Sequence, residues 1–304
     1  MSGGAVSGGA VSGGAVSGGA VSGAVVPVEV APGMPALDVT GPAATARVLL
    51  QGAHVLSWQP AGGRPGLWLS SATRWEPGVP VRGGVPVCFP WFGPHGHDRS
   101  APAHGFARRV PWSLVGSEVD GDVVRVVLGL EDDEATRASA WPHRFSARLA
   151  VAVGRELGLA LTVTNTDDEA WTYEAALHTY LRVPGLDGTR VLGLEDAPWD
   201  DRVDGGRHAP AGTPVTFPGQ VDRTYAHGGR TVLDTADGTT EVLPAGASAT
   251  VVWNPGAEVA AGMADVGPGE HRGFVCVETA AVAPDAVRLE PGEQHTLTVT
   301  YRQG

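Results

Sequence analysis

The segment 171–183 carries titratable and aromatic side chains at a spacing that a β-strand would bring to one face. Successive side chains of a strand point to opposite faces. One face here would be largely apolar, and the other would present Glu174, Ala176, His178, Tyr180 and Arg182. An imidazole in the company of a phenol, a carboxylate and a guanidinium suits the wall of a sugar cavity. We therefore take His178 as a candidate functional residue, although a lone histidine in a strand is usually structural.

A second candidate is Glu278, which ends a predicted apolar strand and would share a face with Phe274 and Cys276. Its carboxylate is either exposed at the end of that strand or held in a pocket. In a pocket, desolvation would raise its pKa and make it a candidate general base. Asp222, in a predicted loop after residues 217–219, offers another carboxylate.

A third candidate region is the stretch between residues 82 and 108, which is rich in proline, glycine and aromatic residues. Its prolines make a regular strand or helix implausible, so we predict an ordered loop that its aromatic side chains hold down. Arg82 precedes two glycines, so its guanidinium and the nearby backbone could both approach an anion. Arg108 supplies a second cation and His104 an imidazole.

The remaining sequence has the pattern of β-strands joined by tight turns. Alternating or β-branched runs occupy residues 123–130, 145–153, 157–163 and 296–301. Hairpin-type Asp-Gly pairs begin at Asp120, Asp187 and Asp237. The one helix-like piece, at about 132–140, is short. Many strands without alternating helices predict an all-β fold with antiparallel sheets, a β-sandwich.

The composition limits the classes of partner. The 304 residues include 44 Gly and 24 Pro, which favours a turn-rich β protein over a helical bundle. A net charge of −12 argues against binding to nucleic acid or an anionic membrane surface, and no apolar run is long enough for a transmembrane helix. All 21 basic residues are arginine, which excludes lysine chemistry. The two distant cysteines, Cys88 and Cys276, form no disulfide framework, so we expect a cytoplasmic protein.

The N-terminus has a different composition from the rest of the chain. Residues 2–21 are four copies of Ser-Gly-Gly-Ala-Val, whose five-residue period fits neither a helix nor a strand. Glycine-rich repeats bury too little apolar surface to offset chain entropy. We predict a disordered tail over residues 1–24 and one domain over residues 25–304.

Seven short motifs resemble, in order, those of the glucose-6-phosphate 1-epimerase family, relatives of the aldose 1-epimerases that act on hexose phosphates. The motifs are Gly52-Ala-His-Val-Leu-Ser-Trp58, Arg82-Gly-Gly-Val-Pro86, Phe89-Pro-Trp-Phe-Gly93, His104-Gly-Phe-Ala-Arg108, His178-Thr-Tyr180, Val221-Asp-Arg223 and Val277-Glu-Thr279. Each motif is weak alone, but seven in order over residues 28–302 are specific. The resemblance implies a large two-sheet antiparallel β-sandwich of the galactose mutarotase type, in agreement with the strand pattern.

The resemblance also implies the reaction, which is the interconversion of the α and β anomers of glucose 6-phosphate by ring opening and closure at C1. Carried over residue by residue, the general acid is His178 and the general base is Glu278. One imidazole and one carboxylate suffice for this chemistry. No metal, nucleotide or other cofactor is required, and the spacing of His95, His97 and His104 does not support a zinc site.

The substrate-binding groups implied by the resemblance are Arg82, Arg108 and Asp222. His104 would line the same cleft, and Trp91 could stack on the sugar ring. We expect a hexose phosphate as the partner of a monomeric protein. Two other functions stay open at this point: a non-catalytic carbohydrate-binding protein, and a glycoside hydrolase that uses Asp222 and Glu278 as its two carboxylates.

Overall fold

A computed structural model of the protein, which describes residues 23–304, shows a chain whose regular secondary structure is almost entirely β-strand. The first eleven strands are β1 (Ala24–Ala31), β2 (Met34–Thr40), β3 (Ala44–Leu49), β4 (His54–Pro60), β5 (Val87–Cys88), β6 (Ser113–Asp120), β7 (Val123–Glu131), β8 (Phe145–Val153), β9 (Leu157–Asn165), β10 (Trp171–Tyr173) and β11 (Ala175–Leu177). The others are β12 (Tyr180–Arg182), β13 (Arg190–Leu192), β14 (Trp199–Asp201), β15 (Arg207–His208), β16 (Val221–Tyr225), β17 (Thr231–Thr235), β18 (Gly238–Ala245), β19 (Ala249–Asn254), β20 (Phe274–Ala281), β21 (Val287–Leu289) and β22 (Gln294–Gln303). The helices are α1 (Glu134–Arg137) and α2 (Gly256–Ala261), with 3-10 turns at Ala107–Arg109 and Glu270–Gly273.

Two eight-stranded antiparallel sheets form the body of the molecule. The back sheet has the order β13-β17-β18-β22-β9-β8-β7-β6. The front sheet has the order β15-β14-β16-β19-β20-β11-β5, and β12 also pairs with β20. A four-stranded sheet, β1-β2-β3-β4, and the pair β10-β21 complete the strands. The predicted antiparallel β-sandwich is therefore confirmed.

The core lies between the inward faces of the two large sheets. Strands β8 and β9 alternate buried and half-buried residues along their whole length, as a sheet with one covered face requires. Leu149 and Leu161 of the back sheet belong to the same buried cluster as Val252 and Val277 of the front sheet. This shared core fixes which side chains of the front sheet must point away from it.

The four strand-like runs of the sequence are confirmed, and the observed strands extend them by at most two residues at an end. The turns at Asp120 and Asp237 close the hairpins β6-β7 and β17-β18. The turn at Asp187 differs, because it joins β12 of the front sheet to β13 of the back sheet. The predicted helix at 132–140 is only the single turn α1, held by a capping box at Asp133, and α2 was not predicted.

The prediction of one strand over residues 171–183 is wrong. The segment forms three short strands that change partner: β10 pairs with β21, β11 with β20 and β5, and β12 with β20. Its first break lies at Glu174, whose carboxylate accepts backbone hydrogen bonds from Phe92 and Ala283. The proline-rich loop likewise contains a two-residue strand, β5, where the sequence predicted no strand.

The predicted disordered tail covers residues 1–24, and its residues 1–22 lie outside the described part of the chain. Ala24, which the sequence analysis assigned to that tail, pairs with Thr40 as the first residue of β1. Among residues 23–304, no helix is long and apolar enough to cross a membrane.

The loop between residues 82 and 108 closes on itself through Gly105, and this contact generates a stability prediction. Gly105 has φ +74° and bridges to Phe89, and a Cβ atom at this position would lie 2.0 Å from the Phe89 carbonyl oxygen. We expect Gly105→Ala to lower the free energy of unfolding by at least about 2 kcal/mol, since it adds left-handed strain to a backbone clash.

Gly96→Ala is the matched control in the same loop, because a Cβ there meets no atom within 4 Å. Thermal melts of both variants check the prediction. If the two variants melted at the same temperature, the close approach of residues 89 and 105 would not hold the loop.

Candidate active site

The candidate site lies on the outward face of the front sheet, opposite the core. Along β20, Val275 and Val277 point into the core, so Phe274, Cys276 and Glu278 point outward. All eight residues of β20 are nevertheless buried, because loops cover its outward face. Glu278 is therefore in a pocket rather than exposed at the end of a strand.

His178 and Glu278 face each other in this pocket. His178 lies between β11 and β12, where its backbone N–H donates to the Pro86 carbonyl. Its Nδ1 is 3.3 Å from Oε1 of Glu278, and the two side chains are 8% and 1% exposed. Residues 100 positions apart in sequence thus form one buried imidazole–carboxyl pair.

Burial shifts both groups toward their neutral forms. Burial raises the pKa of Glu278 well above its usual value, Asp222 raises it further, and the charges of Arg202 and Arg108 oppose the shift. Burial lowers the pKa of His178, and its neighbours His104 and Arg108 lower it further. Both shifts therefore favour a protonated carboxyl group beside a neutral imidazole.

Tyr180 links this pair to Arg82. Its ring lies parallel to the imidazole of His178, with centroids 4.9 Å apart and an interplanar angle of 4°. Its hydroxyl accepts a hydrogen bond of 2.8 Å from Nη1 of Arg82. Arg82 also forms an ion pair with Asp265, whose Oδ2 lies 2.9 Å from Nη2. Each nitrogen of the Arg82 guanidinium thus already contacts Tyr180 or Asp265.

His104 and Arg108 close another side of the pocket. His104 adopts φ +64°, a strained conformation for this residue type, and its backbone N–H donates to the Gly93 carbonyl. Its ring lies 5.7 Å from that of His178, and burial, followed by the charge of Arg108, lowers its pKa to about 3. Arg108 donates from Nη2 to the Ala103 carbonyl, while its Nε is buried without a partner among residues 23–304.

These groups line one cavity of about 290 Å³, near the small end of ligand pockets. Its walls are formed by Arg82, Phe92, Ala103, His104, Arg108, His178, Arg202, Asp222, Val251, Trp253 and Glu278. Of the seven predicted site residues, six meet here. Trp91 does not: its indole packs in the core and donates to the Pro102 carbonyl.

The sequence placed one wall residue in the wrong element and missed others. Asp222 lies in β16, not in a loop, and pairs in register with Trp253 of β19. Trp253 also pairs with Cys276 of β20, which brings its indole beside His178, with ring centroids 6.0 Å apart, so it is the indole of the cavity. Arg202, just after β14, carried no sequence signal, because its place depends on the pairing of β14 with β16.

Two histidines of the proline-rich loop, His95 and His104, accept hydrogen bonds from nearby backbone at Nδ1. Nδ1 of His95 accepts from the N–H groups of His97 and Asp98, and Nδ1 of His104 accepts from Gly93. Within residues 23–304 these three histidines do not form a ligand cluster. The groups at the site suit proton transfer on an oxygen-rich, anionic ligand.

Comparisons with known proteins agree with this geometry. A family model described as aldose 1-epimerase matches residues 36–302. A candidate glucose-6-phosphate 1-epimerase of Escherichia coli (strain K12) is 36% identical over 245 residues, which cover 80% of this chain and 81% of that protein. A similarly described protein of Cenchrus ciliaris is 35% identical over 265 residues, 82% of this chain and 78% of that one. The crystal structure of a candidate mutarotase from Salmonella typhimurium has a TM-score of 0.84 at 32% identity and covers 92% of this chain and 97% of its own.

The raised pKa of Glu278 makes a prediction about stability. In the unfolded chain the carboxyl loses its proton near the ordinary value of 4.5, whereas the folded protein retains the proton to higher pH. The contribution of Glu278 to stability therefore falls as pH rises above about 4.5, by up to about 1.4 kcal/mol per pH unit, until the folded group titrates. Glu278→Gln has no proton to lose, so its stability advantage should grow with pH.

Urea denaturation of the wild type and Glu278→Gln at pH 5, 6, 7 and 8 measures this effect. Glu76→Gln is the control, because Glu76 is exposed and lies away from the cavity. A constant difference between wild type and Glu278→Gln over this range would show that the folded carboxyl titrates normally.

Proposed function

Since the chain belongs to the aldose 1-epimerase family, we propose that it is a hexose-6-phosphate mutarotase, an isomerase that interconverts the α and β anomers of glucose 6-phosphate. The observation that carries the proposal is the buried pair of His178 and Glu278, 3.3 Å apart, in a cavity walled by arginines. The acid and the base would act on the ring oxygen and the C1 hydroxyl of the sugar, and the positive charge of the arginines complements the negative charge of its phosphate.

Ring opening requires two coupled proton transfers. Glu278, as the carboxylate, takes the proton of the C1 hydroxyl while protonated His178 gives a proton to the ring oxygen. The C1–O bond of the ring breaks, C1 becomes an aldehyde, and both protein groups are left neutral. After rotation about C1–C2, Glu278 returns its proton to the aldehyde oxygen and His178 recovers the proton of the hydroxyl, which closes the ring on the other face.

One proton shared by the pair serves both directions of this reaction. The neutral forms that burial favours are those present with the open-chain sugar. Nearby arginines contribute to the lowered pKa of His178. A bound phosphate dianion offsets those charges and so favours the protonated imidazole that ring opening needs.

Neither alternative function accounts for this pair as well. A carbohydrate-binding protein has no need of a buried carboxyl beside a buried imidazole. A hydrolase that uses Asp222 and Glu278 leaves His178 without a role, although it is the group in closest contact with Glu278.

We also propose that this enzyme acts in the cytoplasm, as a monomer and without a cofactor. Cys88 and Cys276 are both free and buried, which supports a reducing compartment. The proton transfers need only side chains of this chain.

Conservative substitutions of the pair test the mechanism. We expect His178→Asn and Glu278→Gln each to lower kcat by at least about 100-fold, the low end of general acid–base effects, because each keeps the side-chain size but removes the proton relay. NMR exchange spectroscopy on glucose 6-phosphate, corrected for the uncatalysed rate, measures kcat. His208→Asn and Glu76→Gln, both away from the cavity, serve as controls. A folded pair variant with more than half the wild-type kcat would remove that residue from the mechanism.

Arg108 should contribute to the preference for the phosphorylated sugar. Its guanidinium makes a single side-chain hydrogen bond within residues 23–304, so most of its donors can serve a ligand. We expect Arg108→Ala to lower kcat/KM for glucose 6-phosphate roughly 10- to 150-fold, as for one or more lost charge-assisted hydrogen bonds. The loss with glucose should be much smaller. Equal losses on both sugars would mean that Arg108 only organises its loop.

A further inference from the structure

We propose that Arg202 is a specificity-determining residue that contacts the phosphate of the substrate, an assignment that rests on the proposed function. Neither the motifs nor the spacing of the sequence pointed to this residue. It is exposed at the mouth of the cavity that holds His178 and Glu278.

The guanidinium of Arg202 is uncommitted. Within residues 23–304 its side chain makes no hydrogen bond and no ion pair, although two carboxyl groups, Asp222 and Glu278, line the same cavity. Its backbone N–H donates to the Asp222 carbonyl, which ties the residue to β16. All five N–H donors of the side chain are therefore available to a ligand.

The guanidinium is nevertheless held in place. Its Cζ lies 4.9 Å from the centroid of the Phe92 ring, a cation–π contact. Gly93, which follows Phe92, lies beneath the same group: a Cβ atom placed there would be in ordinary van der Waals contact with Nη1 and Nη2, at 3.4 and 3.7 Å. The planar group therefore lies over the loop at residues 92 and 93. A cation positioned before the ligand arrives loses less conformational entropy on binding.

The other arginines of the cavity make this one necessary for a dianion. Arg82 donates to Tyr180 and pairs with Asp265, so its charge is largely balanced within the protein. Among residues 23–304, Arg108 and Arg202 are the two arginines of the cavity wall without a carboxylate in ion-pair contact. Two uncommitted guanidinium groups match the two negative charges of a phosphate monoester.

The test compares Arg202→Gln with Arg207→Gln. Arg207 is also exposed and unpaired within residues 23–304, but it lies in β15 and does not line this cavity. For each variant, kcat/KM is measured with glucose 6-phosphate and with glucose, and the binding of inorganic phosphate is measured by calorimetry.

We expect Arg202→Gln to lower the ratio of kcat/KM for glucose 6-phosphate to kcat/KM for glucose roughly 10-fold. This factor is at the low end of the range for the loss of one hydrogen bond to a charged group, because Arg202 is exposed to solvent. Phosphate binding should weaken by a similar factor. Arg202→Lys should retain part of the wild-type affinity for phosphate, because lysine keeps the positive charge but cannot donate two parallel hydrogen bonds. Arg207→Gln should match the wild type in both measurements.

The outcomes separate the two proposals. Wild-type protein that binds phosphate but does not accelerate anomer exchange would overturn the proposed function, and the calorimetric comparison would still decide the role of Arg202. Unchanged phosphate binding and an unchanged substrate ratio in Arg202→Gln would overturn the inference and leave the mutarotase proposal standing.

Discussion

The burial of the Glu278 carboxyl group is the constraint on which the site depends. A carboxylate transferred from water to a protein interior is strongly destabilised unless it is neutralised or paired. Here the group lies on the outward face of β20, under loops that cover the whole strand, and His178 is the nearest titratable group. The imidazole and the carboxyl lie 3.3 Å apart, and burial shifts both toward their neutral forms. In the proposed reaction the same arrangement supplies a base that can give its proton back.

The cover over this pair comes from the loop of residues 82–108, whose backbone has unusual conformations. Positive φ angles occur at Gly83, Gly84, Gly93, His104 and Gly105. At Gly84 and Gly105 a side chain would collide with carbonyl oxygens of Val55 and Phe89. The strain at His104 is of the kind that functional sites retain, because a relaxed backbone would turn the imidazole away from its neighbours. The segment that covers the pair therefore also contributes His104 and Arg108 to the cavity wall.

Tyr180 connects Arg82 to His178 of the proposed acid–base pair. Its hydroxyl accepts a hydrogen bond from Arg82, and one face of its ring stacks on the imidazole of His178. Asp265 holds Arg82 from the other side, so the fork of this arginine is a fixed part of the wall. Arg108 and Arg202 keep their donors for the ligand. The structure thus divides the three arginines into one that braces and two that are available to bind.

The sequence by itself determined the fold class and the long strands, and it singled out His178 and Glu278 as the proposed acid–base pair. Strands such as β8 and β9 were predicted because alternation is a local property, and the pair followed from motifs whose order resembles a known family. Only the tertiary structure decided whether Glu278 was buried, which indole lines the cavity, and that Arg202 joins it. These properties depend on strand register and loop cover, such as the pairing of Asp222 with Trp253 across more than thirty residues of chain. Trp91 and Trp253 are the same residue type in similarly apolar runs, and nothing local distinguishes the one packed in the core from the one facing the ligand.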